Sequence, residues 1–497
     1  MLRRILVVGG TGAIGALTLA IVQIRVGTLF GAGGELDAFF VGAALPSVLL
    51  AISAGAVSYL VVPRLPVDDL AAASRVTGRL ATAAAIAGLG LTALLLVAAP
   101  LIVALVAPGL DSATAEEAAA VLRIYSLSIP ATAAAFVISA LGHNAHRGYT
   151  AGLSTALYGL VWTALLFTPP FTDNVRDVAF AGLIATGVQL LSAYVLSAPR
   201  GFHPRPRFAG ITLPGRRALT AVAVVLGATI LGRLALLLDP LFGSLLDEGA
   251  VSQLSYAMRI VLLAVFAAGQ GAAFSLMVVS RQDRVGTAAE LRVGIIAPAL
   301  LALAAAAIFL IAGPALTELL LAHGEFAAAD ARDVGELLRI YGPAIVVMTM
   351  IWAFEALLYS SHRAGDVLRA AAIGLAVMAA ASGIGVALIG IEGRPIGVLV
   401  GYLAQLAYLV PRLASDSRIA GLRSRRTLGL LATALVVQLA VGAIAYGAFD
   451  ALIGSAAGAI AATLVAATAT VAFMVGYERR TLAESGPAVT DAGPTTA

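Results

Sequence analysis

Apolar runs of about twenty residues or more recur along the whole of this 497-residue chain, Leu80 to Ala107 and Ala297 to Ala322 among them. A helix rises about 1.5 Å per residue, so about twenty apolar residues cover the hydrocarbon core of a bilayer while satisfying their own backbone polar groups. Such a pattern specifies a polytopic membrane protein and excludes a soluble enzyme. Only 12% of the residues are charged, against about 25% in a water-facing fold. The chain has no cysteine, and its five histidines (His143, His146, His203, His323, His362) lie between apolar runs. Disulfides, thiolate metal sites and cysteine nucleophiles are therefore ruled out, and no cofactor or metal is expected. All 31 basic residues are arginines.

Apolar runs bounded by charge and turn residues predict an all-α protein of about fourteen spans. They cover 5–30, 36–63, 80–107, 121–142, 150–171, 178–198, 218–239, 250–279, 293–321, 336–361, 367–390, 395–414, 428–449 and 453–477. Arginines near span ends mark the cytoplasmic side. With the N-terminus inside, the cytoplasmic segments hold 23 of the 31 arginines, densely at Arg200 to Arg217 and Arg412 to Arg426. The outer segments hold five (Arg123, Arg176, Arg332, Arg339, Arg394) and most of the acids, Glu35, Glu116, Glu117, Asp247, Glu248 and Glu325 included. This alternation supports both the span count and cytoplasmic termini.

Two features near the N-terminus mislead. Met1 to Arg4 followed by an apolar run looks like a signal peptide, but the run continues past the usual core without a clear cleavage site and reads as an uncleaved first span. Gly10-Thr11-Gly12-Ala13-Ile14-Gly15 matches a dinucleotide fingerprint, yet the soluble strand-helix-strand unit that motif needs is missing. Neither a nucleotide nor a nucleic-acid partner is expected.

One offset, 216 residues, relates several separate places in the chain without gaps at the matches. Leu122-Arg123-Ile124-Tyr125 recurs as Leu338-Arg339-Ile340-Tyr341, His146-Arg147 as His362-Arg363, and Gly55-Ala56 as Gly271-Ala272. The shift carries spans one to six onto seven to twelve, an even number, so the halves share orientation. The expected organisation is a first lobe (1–198), a cytoplasmic linker (199–217), a second lobe (218–414), two additional helices (428–477) and a disordered cytoplasmic tail (478–497). Two-lobed repeats of this kind suit transporters that rock about a central site.

Arg25, Arg233, Arg259 and Glu355 lie well inside spans, with Asp37 just inside the second. Each costs on the order of 2.5–3.5 kcal/mol at a helix centre, so each needs a partner or a polar interior. From the span bounds, Arg25 and Arg233 fall about 9 Å below the outer surface and Arg259 about 14 Å below it. Arg25 and Arg233 either snorkel to the outer headgroups or join an anion site with Arg259. Ser252, Tyr256, Arg259 and Gln270 form a polar stripe on span eight, and Asp37 is a partner for Arg25 or a helix-start residue. Glu355 falls near the inner end of span ten, where Arg363 or Arg369 would pair with it, with ion coupling as the alternative role.

Leu29-Phe30-Gly31-Ala32-Gly33, Asp37-Ala38-Phe39-Phe40-Val41, Leu45-Pro46 and Val62-Pro63 resemble the opening of the MurJ/MviN family, the lipid II flippases of the multidrug/oligosaccharidyl-lipid/polysaccharide exporter superfamily. Gly249 to Arg259 resembles the family's span-eight motif, in which the arginine lines the cavity, and Leu319 to Phe326 with Ala329-Asp330 resembles its outer loop before span ten. The resemblance implies a flippase that moves an undecaprenyl-diphosphate-linked saccharide by alternating access, with arginines on the diphosphate and the last two helices beside the lipid tail. It also implies membrane lipids and cell-wall synthesis proteins as partners, and an ion gradient or the membrane potential as energy source. The family's arginines in mid span one and after the Leu-Pro of span two are absent, so only Arg259 carries over cleanly and a different lipid-linked glycan stays open. A cation-coupled drug antiporter of the same superfamily predicts twelve spans and buried carboxylates in the first lobe, where Asp37 stands alone. A non-transporting scaffold in wall assembly is the third reading.

Overall fold

A computed structural model describes residues 2–56, 69–144, 149–197, 204–208, 216–279, 288–361, 363–413 and 425–484. Every regular element among them is helical: α1 (Leu2–Phe30), α2 (Gly34–Ala56), α3 (Leu70–Val106), α4 (Ser112–Ser126), α5 (Ile129–Asn144), α6 (Tyr149–Leu165), α7 (Val175–Ser197), α8 (Arg216–Leu234), α9 (Leu238–Gly243), α10 (Ala250–Val279), α11 (Ala288–Leu321), α12 (Ala328–Ser360), α13 (Ala364–Ile389), α14 (Gly393–Leu413), α15 (Arg425–Ile453) and α16 (Ser455–Glu484). Counting α4 with α5, and α8 with α9 through the 3-10 turn Ala235–Leu237, gives the fourteen expected helical spans in order. Eight described segments, or nine with the bent α4–α5 pair, are by themselves long and apolar enough to cross a membrane.

The bend between α4 and α5 is 42° and has a local cause. Pro130 lacks the N–H that would bond the Ser126 carbonyl four residues back, and the Thr92 hydroxyl from α3 donates to that carbonyl instead, at 2.7 Å. The helix start at Gly34 recurs at Ala250, and that at Ser112 recurs at Ala328, both at the 216-residue offset. In the repeat Pro130 is replaced by Val346, and α12 runs unbroken.

Two element bounds differ from expectation. Asp69, whose Oδ1 accepts from the Ala72 N–H at 2.9 Å, caps α3 ahead of the apolar run, so polar turns precede the membrane segment. Helix α16 continues to Glu484, past the point where a disordered tail was expected to begin, because Tyr477 to Glu484 contains no glycine or proline to stop it. The expected second-span end at 57–63 and the tail beyond 484 lie outside the described residues.

Helices α1 to α7 pack among themselves, and so do α8 to α14; the two groups meet where α1 and α2 cross α10 and where α2 meets α8. A Cβ on Gly401 would stand 2.4 Å from that of Met378, and one on Gly397 would strike Ser382, so glycine is what brings α13 and α14 together. Helices α15 and α16 pack on α11. Fully buried Gln438 ties all three, its amide donating to Thr470 Oγ1 at 2.8 Å and to the Leu300 carbonyl at 3.3 Å.

Candidate functional site

Four of the segments that carry the resemblance, 29–33, 37–41, 249–259 and 319–326, meet at one end of the helices. Gly31, at φ +65°, ends α1, and a Cβ there would stand 2.6 Å from the Glu325 carbonyl oxygen. The Glu325 N–H donates to the Thr28 carbonyl at 3.1 Å. Gly249, at φ +89°, turns the chain into α10 and aims its N–H at Asp37, donating to Oδ2 at 2.8 Å. The Ser252 N–H donates to Asp37 Oδ1 at 2.7 Å, and the Ser252 hydroxyl donates to the same oxygen. A carboxylate from α2, 3% exposed, thus caps the N-terminus of α10. The reverse also holds: exposed Glu248, just before α10, accepts from the Gly34 N–H at the start of α2, at 2.8 Å. The repeat places these two helix starts in register, and each group of helices supplies the other's cap.

Below this seam lies Arg259. Its guanidinium, partly exposed, sits 4.6 Å over the Phe40 ring of α2. Tyr256, Tyr125, Tyr158 and Asp239 are within electrostatic range of it. Among the described residues it makes no hydrogen bond or ion pair, a costly state for a cation inside a bilayer and one that leaves its N–H donors open to an incoming anion. Phe40 stands edge-to-face with Tyr256 at 5.1 Å, and Tyr256 with buried Phe326 at 5.4 Å. The Tyr256 hydroxyl donates to the Gln23 carbonyl of α1 at 2.8 Å, so this ring belongs to the packing that joins the two groups.

The remaining sequence candidates separate. Arg25 Nε donates to the Leu166 carbonyl at the end of α6 at 3.1 Å, Nη1 to Thr28 Oγ1 at 3.3 Å, and the guanidinium stacks 4.5 Å over exposed Phe167. Asp37 does not bond Arg25. The backbone of Gln270 is on α10, but its side chain lies outside the described residues. Arg233 lies deeper than its position in the apolar run implied, because the span continues through the 3-10 turn and α9 to Gly243. Its guanidinium is 5.8 Å from the Trp352 ring, and Trp352 packs on Phe266, about 10 Å further along α10 than Arg259. The two cations therefore lie at different depths and have different neighbours, Phe40 of α2 for Arg259 and Trp352 of α12 for Arg233.

Two expected pairings are corrected. Glu355 does not pair with Arg363 or Arg369; its Oε1 accepts from Gln405 Nε2 at 3.0 Å, and Arg233 is within electrostatic range. Arg363, Arg412 and Arg369 instead converge on Asp366, at 2.7, 3.5 and 3.6 Å. Arg394, read from sequence as an outer-loop arginine, is fully buried: Nε donates to Asp239 Oδ1 at 2.7 Å, Nη1 to Ser382 at 3.1 Å and Nη2 to the Ala235 carbonyl at 2.9 Å. The short turn between α13 and α14 leaves no loop to carry it into water. Three of the other arginines assigned to the same side pair with acids. Arg176 forks onto Glu117, which raises the arginine's pKa, Arg332 pairs with Glu318, and Arg339 with Glu336. Sequence reasoning missed Phe40, Tyr125 and Tyr158 around Arg259, Trp352 beside Arg233, and Gln405 on Glu355. Two signals were available: Tyr125 closes the repeated Leu-Arg-Ile-Tyr motif, and Phe40 lies within the quoted segment after Asp37.

The family described as Lipid II flippase MurJ matches residues 26–472. No curated protein matches by sequence. Among solved structures, one described as a lipid II flippase MurJ in an inward closed conformation superimposes with a TM-score of 0.77 at 16% identity, covering 94% of this chain and 98% of that one. An outward-facing multidrug resistance MATE transporter of the MOP superfamily gives 0.63 at 18% identity over 84% and 96%. A MOP superfamily transporter from Pyrococcus furiosus, described as having a binding pocket of reversed polarity, gives 0.64 at 18% identity over 85% and 96%.

Proposed function

Because the chain belongs to the MurJ lipid II flippase family, a family of membrane transporters and not of enzymes, we propose that it carries lipid II, or a closely related undecaprenyl-diphosphate-linked saccharide, across the cytoplasmic membrane by alternating access. The observation that carries this reading is Arg259: a partly exposed membrane cation, facing the other helix group, with no hydrogen-bonding partner among the described residues. Its stacking on Phe40 contributes about 0.5–2 kcal/mol. Charge-assisted hydrogen bonds to a diphosphate are each worth roughly 1.5–3 kcal/mol, and a guanidinium can donate two in parallel. An arriving diphosphate therefore outcompetes the ring, and Phe40 serves as a placeholder that keeps the cation oriented while the site is empty.

The seam formed by Asp37 and Glu248 closes the path above Arg259, so release to the outer side requires α2 and α10 to part. Arg25 takes a structural role in this scheme, capping the outer end of α6. Arg233 is the cation that the diphosphate meets before Arg259 on entry from the cytoplasmic side. The polyprenyl chain stays in lipid beside α15 and α16, whose outward surface carries Val436, Ile444, Phe449, Leu452, Ile460 and Leu464. With the termini cytoplasmic, the transport direction is outward.

Native mass spectrometry of the purified chain with lipid II and with undecaprenol, which lacks the diphosphate, tests the site. Arg259→Ala should lose preferential binding of lipid II, and Arg259→Lys should retain part of it, since lysine keeps the charge without the fork. Equal lipid II binding by wild type and Arg259→Ala would remove the proposed site.

A further inference from the structure

Three carboxylates between α8 and α14 are held in three different ways. Asp239 is locked in a fully buried, fully bonded pair with Arg394. Asp366 is surrounded by three arginines. Glu355 is different: one oxygen accepts from the neutral amide of Gln405 at 3.0 Å, and no arginine stands within ion-pair distance among the described residues. The nearest cation in electrostatic reach, Arg233, is itself without a hydrogen bond or ion pair among those residues. Both side chains are only partly buried. The groups that face Glu355 are Arg233 from α8, and Tyr402 and Gln405 from α14. Helices α10, α11 and α13, which also pack on α12, bring no charged or titratable group into interaction with it among the described residues.

From this arrangement we infer that Glu355 is an internal counter-anion: it balances Arg233 while the site is empty, yields that cation to the incoming diphosphate, and takes up a proton in exchange. The inference rests on the lipid-linked diphosphate reading given above. A transporter that returns empty must carry its membrane cations without substrate, and each uncompensated one is costly at mid-membrane. A carboxylate near the cation but not locked to it reduces that cost and can still be displaced, which the Asp239–Arg394 pair could not be without leaving two buried charges bare. Once Arg233 turns to the diphosphate, Glu355 keeps only uncharged neighbours, Gln405 and Tyr402. The carboxylate then binds one proton from water and becomes the neutral acid, with no other bond made or broken.

Linkage makes this measurable. If binding takes up a proton, lower pH favours binding and the affinity falls by up to tenfold per pH unit on the alkaline side. The diphosphate of lipid II is a diester and has no proton to exchange near neutral pH, so the slope reports the protein. Binding of lipid II to the full chain can be followed between pH 6.5 and 8.5 by intrinsic fluorescence, since Trp352 is one of only two tryptophans. Proton uptake can be read with an indicator dye in weak buffer. The wild type should weaken three- to tenfold per pH unit and take up about one proton per lipid bound. Glu355→Gln should bind at every pH at least as tightly as the wild type at low pH, with no slope, yet turn over more slowly in proteoliposomes because its empty form returns with a bare cation. The wild-type proton count needs no variant and so does not depend on how Glu355→Gln folds. Absence of proton uptake by the wild type, or an unchanged slope in Glu355→Gln, overturns the inference while leaving a lipid II site at Arg259 intact. Failure of the wild type to prefer lipid II over undecaprenol overturns the underlying reading as well.

Discussion

Replacing Asp37 by asparagine tests the outer seam with the smallest change of shape. The carboxylate accepts from two backbone N–H groups, at 2.8 and 2.7 Å, and from the Ser252 hydroxyl, while 3% exposed. An asparagine in the same rotamer keeps one acceptor, turns an NH2 toward a backbone donor and removes the charge at the N-terminus of α10. Losing one buried charge-assisted hydrogen bond is worth about 2–3 kcal/mol, which moves the closed-to-open equilibrium of the seam by about 30- to 140-fold. Glu248→Gln keeps an amide oxygen to accept from the Gly34 N–H and removes only the charge of an exposed side chain, so it should shift the equilibrium by less than about 1 kcal/mol. The chain has no cysteine, so spin labels at Glu116→Cys on α4 and Asp333→Cys on α12, both exposed at the outer rim, report the separation of the two helix groups without background. Electron-electron distance measurements should show a longer population appear in Asp37→Asn and barely appear in Glu248→Gln. Identical distance distributions in wild type and a folded Asp37→Asn would refute the idea that this cap holds the outer side shut.

Other outcomes follow from the same geometry. Arg25→Ala should lower the melting temperature, since the Leu166 carbonyl and Phe167 lose their partner, while leaving lipid II affinity unchanged; a binding defect without a stability defect would place Arg25 in the site instead. Arg394→Met strands buried Asp239 and should destabilise by about 3–5 kcal/mol in chemical or thermal unfolding, whereas adding Asp239→Leu should recover most of that loss. In Gly401→Ala the new methyl would stand 2.4 Å from the Met378 Cβ, so the α13–α14 pair must separate, at about 1–3 kcal/mol of stability; a thermal shift of zero would contradict the packing described.

The helical fold was legible because it follows from one quantity, the length of apolar runs, and because the 216-residue repeat counts helices twice over. The helix starts at Gly34 and Ala250 keep that offset to the residue. Charge sorting was less dependable at the single-residue level. Counting arginines treats every one near a span end as exposed, and Arg394 is near a span end but meets Asp239, 155 residues earlier, inside the protein. Glu355 was assigned to arginines close in sequence, although Gln405 reaches it from another helix and Asp366 outcompetes it for Arg363 and Arg369. Asp37 could be read as a helix-start residue, yet it caps a different helix, accepting from the N–H of Gly249, 212 residues later. In each case the local sequence indicates that a charge needs a partner, while only the packing of distant helices decides which one it finds. Arg259 stood out in sequence because its polar stripe lies along a single helix; the rings around it come from α2, α4 and α6 and leave no periodic trace.

The central claim is that Arg259 engages the diphosphate of the transported lipid. It is tested most directly by lipid II translocation in proteoliposomes reconstituted with wild type or Arg259→Gln at equal protein content and with matched melting temperatures. Loss of one or two charge-assisted hydrogen bonds, about 2–4 kcal/mol, should reduce the initial rate at subsaturating lipid II by about 30-fold or more. A rate within twofold of wild type would contradict the account.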